Sequence, residues 1–376
     1  MQIDFHFGVT YVVARLAGFD LNDAHKIAYS AQYVDDEVHE GIINFNNRSS
    51  FAFIASAHKM LDYRNFEELA NKHVWIPFHF LPGNQIQYAD NTKASEFEQK
   101  LICRPNSQIA QDVVENCIKN RDKRFSLHLL GVTMHTYADT WAHQGFCGIT
   151  SLLNTVKCIY DKEGSEDDDM NTYIEKYFAS SWWKKILLVL GLNSYFEKLK
   201  SQFVNDLNPI GHGSVLSYPD LPFKKWKYEN WNGDLVERDN PTDFSEAVEH
   251  MYRAMKRFRG EDQSIESVQK DLDLIHLTLR NNAKDSGEER LIEWLKLIQS
   301  GAFSFGRENV EYHATGEQSW LFKGLGFSSD EEFVFEDLDY PHHFMKKDWK
   351  LLHDALLFHR FSVLNVVLPD HGMSAN

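Results

Sequence analysis

His135, Asp139 and His143 stand at i, i+4 and i+8 within the stretch SLHLLGVTMHTYADTWAHQGFCG, residues 126–148. A helix turns about 100° per residue, so each four-residue step drifts about 40° and the three side chains share a stripe roughly 80° wide. Two imidazoles and a carboxylate on one stripe are a natural ligand set for a zinc-like cation. Leu127, Leu130, Val132, Met134 and Trp141 make the same segment apolar enough to be buried. A buried helix turns polar groups inward only where they are paired, because an unpaired one costs several kcal/mol. The competing reading is a core helix whose histidines simply hydrogen-bond to neighbours.

Other segments carry residues of the same chemistry. His6 opens an apolar stretch, Asp35 and Asp36 form an acidic pair, and His79 sits among aromatics and prolines in WIPFHFLPG. His212 and Asp220 lie in PIGHGSVLSYPDLP, where prolines and glycines break any helix. Taken together, His6, Asp35, Asp36, His79, His135, Asp139, His143, His212 and Asp220 are enough ligands for two or three ions, since each needs three or four. Closely spaced zinc ions polarise a phosphoryl oxygen and bring a bound water to hydroxide near neutral pH. Asp139, central in the stripe, is the candidate bridge between two ions. Asp139, Asp35 and Asp36 are the candidate catalytic carboxylates, and Arg15 or Lys26 the candidate phosphate partners.

The elements that must position these residues read as helices. Residues 6–19 predict a helix ending at Gly18, and Asp20 or Asn22 caps a second one running into Val34-Asp35-Asp36. A less patterned stretch at 41–74 contains an extended piece (Phe51, Phe53, Ile54) and a short helix around 66–73, after which 75–83 reads as a rigid loop. Helical patterns follow at 95–119, 126–148, 173–204, 242–259, 262–282, 287–301 and 340–367, and 161–172 is an acidic surface loop. Period-2 patterns are scarce, and no repeat, glycine-rich phosphate loop or G-x-S-x-G elbow is present. The expected fold is mainly α, a single large helical domain over 1–376, with a metal-site core at 1–239 and a C-terminal helical subdomain at 240–376.

The 376 residues carry 43% apolar and 14% aromatic side chains, ample for a packed core. A net charge of −16 argues against non-specific attachment to nucleic acid or anionic membrane, with Lys224, Lys225 and Lys227 as one local basic patch. Cys103, Cys117, Cys147 and Cys158 lack C-x-x-C spacing, so neither a cysteine zinc site nor a disulfide scaffold is expected. The start, MQIDFHFGV, does not read as a signal peptide, and the apolar run Ile186 to Leu192 is too short to span a bilayer. A cytoplasmic protein acting on a small-molecule or phosphoester substrate is therefore expected; the oligomeric state is open.

The order of these residues resembles the all-α superfamily of zinc-dependent phospholipase C and single-strand-specific nucleases. The resemblance covers about residues 1–225 and rests on an early His6, Asp35 or Asp36, His79 in FHFLP, and His135 with Asp139 in HTYAD. His143 and the late pair His212 and Asp220 complete it. It implies the helical fold and three zinc ions. One takes Asp35 or Asp36, His79, His135 and Asp139; another His6 and Asp139; the third His143, His212 and Asp220. Those enzymes present an N-terminal Trp whose amine and carbonyl hold a zinc, where this chain begins Met1-Gln2. HTYADTWAHQGF and GHGSVLSYPDLP look closer still to a bacterial family of proteins without an established activity.

The expected function is a metal-dependent hydrolase of phosphoric esters using metal-bound hydroxide, with one to three zinc or other divalent ions. Two alternatives stand beside it. Leu351-Leu352-His353-Asp354 resembles the doublet of HD-type phosphohydrolases, although only Asp370 follows as a further acid, and His353 with His359 also fits the face of a packing helix. A non-enzymatic helical scaffold with at most one structural metal would use Trp226, Trp231 and Trp320 as surface aromatics. Metal content per chain separates these readings.

Overall fold

A computed structural model describes residues 1–58, 68–87, 94–168, 210–328 and 338–374. The chain enters through a π-helical turn, Asp4–Val9, that runs straight into α1 (Thr10–Leu16). Gly18, with φ of 95°, then reverses direction. α2 (Leu21–Asp36) starts where the Asp20 carboxylate accepts the Asp23 N–H at 2.9 Å. The strands β1 (Gly41–Asn44) and β2 (Ser50–Phe53) form an antiparallel hairpin. Next come α3 (Glu68–Phe78), α4 (Glu96–Lys100) with a Ser95/Glu98 capping box, α5 (Gln108–Lys119) and α6 (Ser126–Ala142). β3 (Val156–Tyr160), β4 (Lys225–Asn230) and β5 (Leu235–Asp239) make a three-stranded antiparallel sheet in the order β3-β4-β5. α7 (Asn240–Arg259), α8 (Gln269–Asn281), α9 (Gly287–Ser300), α10 (Trp320–Leu325) and α11 (Asp348–Ser362) follow.

α6 is the axis of the molecule. Every residue from His128 to Ala142 is buried, because α2, α5, α7 and α11 all pack against it. A helix that is apolar or small on all sides can be enclosed in this way. One hydrophobic cluster runs from Phe5 and Phe7 through Leu130 and Met134 to Phe244, Met251, Trp294, Trp349 and Leu356. A smaller one, with Phe80, Phe146, Val215, Trp226 and Tyr228, fills the space between the three-stranded sheet and the loop at 210–223.

The expectation of a mainly α, single helical domain is corrected: two small antiparallel sheets make the fold mixed α/β. β4 buries Trp226, Tyr228 and Asn230 in strict alternation, and the turn to β5 contains Asn232-Gly233, with Gly233 at φ of 94°. An Asn-Gly pair between alternating segments is a strong hairpin signal, masked here by the charged residues that dilute the apolar positions. The aromatic surface is corrected with it: Trp226, Trp231 and Trp320 are 1%, 6% and 5% exposed. Lys225 and Lys227 pair with Asp239 and Glu237 across the hairpin, and Lys224 lies over the Tyr218 ring.

Several helix boundaries also differ from those expected. α3 continues through Pro77 to Phe78, so His79 follows a helix end instead of sitting in a free loop. The stretch 95–119 is two helices parted around Pro105, with Asn106 at φ of 48°. The acidic loop is described as far as Asp168 and is an exposed turn over 162–166; the helix expected at 173–204 lies outside the described residues. The terminal segment Asp348–Asp370 is long and apolar enough to cross a membrane, and 56% of its most apolar 18-residue window is buried inside the protein.

Candidate metal centre

The centre is built where α2 and α6 come closest. A Cβ on Gly131 would stand 2.3 Å from the Ile27 carbonyl oxygen and 2.6 Å from Ser30 Cβ, so only glycine allows this approach. One turn further along each helix, the His135 Nδ1–H donates to the Ala31 carbonyl at 2.7 Å. Asp35 lies another turn along α2, which brings its carboxylate to the same place. From the other side, the segment after α3 delivers His79, whose Nε2–H donates to the Ser56 carbonyl at 2.9 Å.

Four donor atoms converge here. His79 Nδ1, His135 Nε2 and Asp139 Oδ2 are 3.2–3.3 Å from one another. Asp35 Oδ1 stands 3.9 Å from the first and 3.8 Å from the second. Atoms bonded tetrahedrally to one zinc are separated by about 3.3 Å, since each bond is about 2.0–2.1 Å. The first three therefore already hold the spacing of a coordination shell, and Asp35 stands about half an ångström wider.

The other oxygens of the same two carboxylates face a second group. Asp139 Oδ1 is 3.2 Å, and Asp35 Oδ2 3.9 Å, from His6 Nε2. His6 stacks on His135 with ring centroids 3.8 Å apart, and neither of its ring nitrogens has a hydrogen-bond partner. A third group joins His143 Nε2 to Asp220 Oδ1 at 3.4 Å and His212 Nε2 to Asp220 Oδ2 at 3.6 Å. Helix α6 stops at Ala142, so His143 is its C-cap; its ring stays 3.6 Å from Asp139 Oδ2 and lies beside the His212 ring, with centroids 4.7 Å apart.

Between the second and third groups sits an amine. The fully buried Met1 amino group lies 2.8 Å from Asp139 Oδ1, 3.1 Å from Asp220 Oδ1 and 3.5 Å from His143 Nε2. It is fixed there by Arg290, which bonds Asp4 at 2.7 Å and Gln2 at 2.8 Å inside the core. No residue type marks a chain's own amine, and the Met1-Gln2 start pointed away from it. The one hint came from the resemblance to enzymes that bring an N-terminal amine to the same place.

Tautomers decide what the cluster wants. A carbonyl oxygen can only accept, so any ring nitrogen facing one carries the hydrogen. His79 and His135 each meet such an oxygen on their outer side, His143 Nδ1 meets the His79 carbonyl at 2.8 Å, and His212 Nδ1 meets the Leu216 carbonyl at 2.7 Å. All four therefore turn bare lone pairs inward when neutral. His79 Nδ1 and His135 Nε2 then oppose lone pair to lone pair at 3.2 Å, an arrangement that calls for a cation or a proton between them. Outer nitrogens held by carbonyls are also the usual support of metal-ligating histidines.

Charge points the same way. Burial, helped by the neighbouring His79 and the amine, lowers His135 to about 4 despite Asp139. Burial likewise lowers His212 to about 4 and takes His6 well below its normal range. Neutral imidazole is the form that ligates. Burial alone would raise Asp139, but His143, the amine, His135 and His6 overcome it and hold the carboxylate ionised. Asp35 is 32% exposed by surface yet recessed among other groups; loss of water pushes it well above the usual range against the amine, and Asp139, Asp36 and Asp220 add to the push. Burial would lower Met1, but the three carboxylates raise it to about 11. Two carboxylates held ionised, Asp139 and Asp220, thus face one ammonium, leaving a negative excess.

The structure brings together eight of the nine expected ligands and separates Asp36. That carboxylate faces away, accepting from Tyr312 Oη and from Gln32 Nε2, so the alternative Asp35 or Asp36 resolves to Asp35 in geometry. Arg15 is clamped by both oxygens of Glu308, and Lys26 pairs with Asp23; neither reaches the cluster. His353 lies 3.2 Å from buried Glu37, and Asp354 pairs with Lys350.

The chain belongs to a family of unknown function, DUF6765, whose model matches residues 1–367. No curated protein and no solved structure matches it.

Proposed function

We propose that this DUF6765 protein is a metal-dependent hydrolase of phosphoric esters, with zinc the best-suited ion and other divalent metals able to substitute. The observation that carries the reading is the inward convergence of neutral imidazole lone pairs and carboxylate oxygens at ligand spacing around His79, His135, Asp139 and Asp35. The residues fit such an ion on chemistry as well as distance: nitrogen and oxygen donors, outer nitrogens already engaged, and a surplus of negative charge.

An ion held there supplies Lewis acidity, polarising a phosphoryl oxygen and acidifying a water near neutral pH. The chain's own groups do the rest. Asp139 directs one oxygen to the His79/His135 group and the other to His6, and Asp35 divides its oxygens the same way. These two carboxylates would hold neighbouring ions at a fixed separation. His143, His212 and Asp220 would hold a third. Asp35 is the most exposed of the donors, so it is the carboxylate within reach of an arriving ester and of the attacking water. Among the described residues no lysine or arginine is ion-paired to the cluster, so the negative charge of the ester would be met by the ions. The order of ligands resembles that of the zinc-dependent phospholipase C and nuclease superfamily, which favours phosphoric esters over other substrates.

The test is metal analysis and turnover of bis(p-nitrophenyl) phosphate on untagged protein. Two or three zinc equivalents with turnover are expected, and His135→Ala and Asp139→Asn should each lose metal and activity together. Full metal retention in both variants would remove the assignment, and one equivalent without turnover would mark a structural site.

A further inference from the structure

The C-terminal helix α11 contributes no ligand, yet it touches the segments that carry two of them. His359 is 2% exposed on α11. Its Nε2 lies 2.9 Å from the Pro77 carbonyl and 3.3 Å from Thr136 Oγ1. The carbonyl fixes the tautomer, so this Nε2–H is the donor. Pro77 is the next-to-last residue of α3, so its carbonyl is one that a helix end leaves without a backbone partner. Thr136 Oγ1 donates to the Val132 carbonyl at 3.1 Å, which leaves a lone pair for His359. The imidazole also stacks on Phe78 with centroids 5.4 Å apart.

One side chain thus ties α3 to α6 at two points. Pro77 lies two residues before His79, and Thr136 lies next to His135. The same helix also passes close to the other support of His79. His353 lies 3.2 Å from Glu37 Oε2, and the Glu37 carbonyl accepts the Ser56 and Ala57 N–H groups at 2.9 and 3.1 Å. Ser56 in turn offers the carbonyl that holds the His79 ring.

We infer that His359 is a positioning residue that sets the separation of His79 and His135 by clamping the Pro77 carbonyl to α6. The inference deepens the metal-hydrolase reading and rests on it for its consequence. A buried imidazole that only filled space would be replaceable by leucine. One that acts through its N–H is replaceable by glutamine, which keeps a donor at similar reach, and not by leucine or by the shorter asparagine. Supports of this kind typically change metal affinity 10- to 100-fold when removed (roughly, for carboxylate and carbonyl partners of ligating histidines).

Two measurements test it on full-length wild type and on His359→Leu, His359→Asn and His359→Gln. The first is nitrogen-15 NMR of the His79 ring in metal-free protein; the second is the zinc dissociation constant by chelator competition. In wild type His79 should be the single Nε2–H tautomer. In the Leu and Asn variants it should become a mixture of tautomers, with zinc bound about 10- to 100-fold more weakly, and Gln should restore both within about threefold. Urea midpoints in chelator identify any variant that fails to fold, and the remaining ones decide. Wild-type tautomer and affinity in Leu or Asn would overturn the inference, as would a Gln variant as impaired as Leu. If wild type takes up no cation, the hydrolase reading fails, while the His79 tautomer still decides the role of His359.

Discussion

Replacing Gly131 by alanine tests whether the closeness of α2 and α6 is what assembles the centre. The added Cβ would meet the Ile27 oxygen at 2.3 Å, Ser30 Cβ at 2.6 Å and the Ala31 nitrogen at 3.1 Å. Two of these are backbone atoms in the middle of a helix, so no side chain can swing aside. Restoring ordinary contact requires α2 to withdraw by about 1 Å, and such overpacking costs about 1–3 kcal/mol. Alanine regains about 1 kcal/mol of helix propensity over glycine, so the net loss of stability is about 0–2 kcal/mol. The effect on the centre should be larger than on the fold. The His135–Ala31 hydrogen bond is only 2.7 Å long, and a withdrawal of about 1 Å takes it beyond hydrogen-bond range. The same shift draws Asp35 off the other ligands, which already stand 3.8–3.9 Å away. Zinc affinity should fall about 10- to 100-fold while urea unfolding in chelator moves little. A variant with unchanged affinity and unchanged stability would refute the argument that this contact positions His135 and Asp35.

Two further predictions concern charge. His135, His212 and His359 have folded values near 4 against about 6.5 when unfolded. Their lowered values make the contribution complete above about pH 6.5 and progressively lost down to about pH 4, on the order of 1 kcal/mol per pH unit for each histidine. Urea midpoints measured in chelator should therefore drop steeply across that window, and a flat profile would contradict their neutral burial. Met1 has the opposite sign: raised to about 11, its amine stabilises fully below about pH 8 and loses this as pH rises through 11. Capping that amine by acetylation, or extending the chain in front of it, leaves Asp139 and Asp220 without their cation. Loss of one member of a buried pair costs about 3–5 kcal/mol, so a lowered thermal midpoint in chelator is expected; an unchanged midpoint would show that the amine does not hold these carboxylates.

How much of this was legible in the sequence depended on whether the determining contacts were local. The i, i+4, i+8 spacing of His135, Asp139 and His143 needs only helix geometry, and it placed the first two on an inward face. The third follows as the C-cap, its N–H still bonded to the Asp139 carbonyl and its ring 3.6 Å from the Asp139 carboxylate, while its far nitrogen reaches Asp220. The choice between Asp35 and Asp36 could not be local, since it is made by Tyr312, 276 positions away, which takes Asp36 for itself. His212 and Asp220 met His143 as their order suggested, although the loop that carries them has no periodicity to read. The sheets carry little apolar alternation: KWKYEN alternates aromatics with lysines that pair across the hairpin. His359 had no signal of its own: its role depends on a helix end met only after folding.

The internment of the first residue has a temporal side. Its amine is enclosed by Asp139 and Asp220, and Arg290 grips Asp4 and Gln2 from far downstream. At about 5–20 residues per second, synthesis takes roughly 15–60 s to pass from Met1 to Arg290. The segment that carries the amine is therefore set in place by a side chain made much later, and the two ends of this clamp can meet only once most of the intervening helices exist.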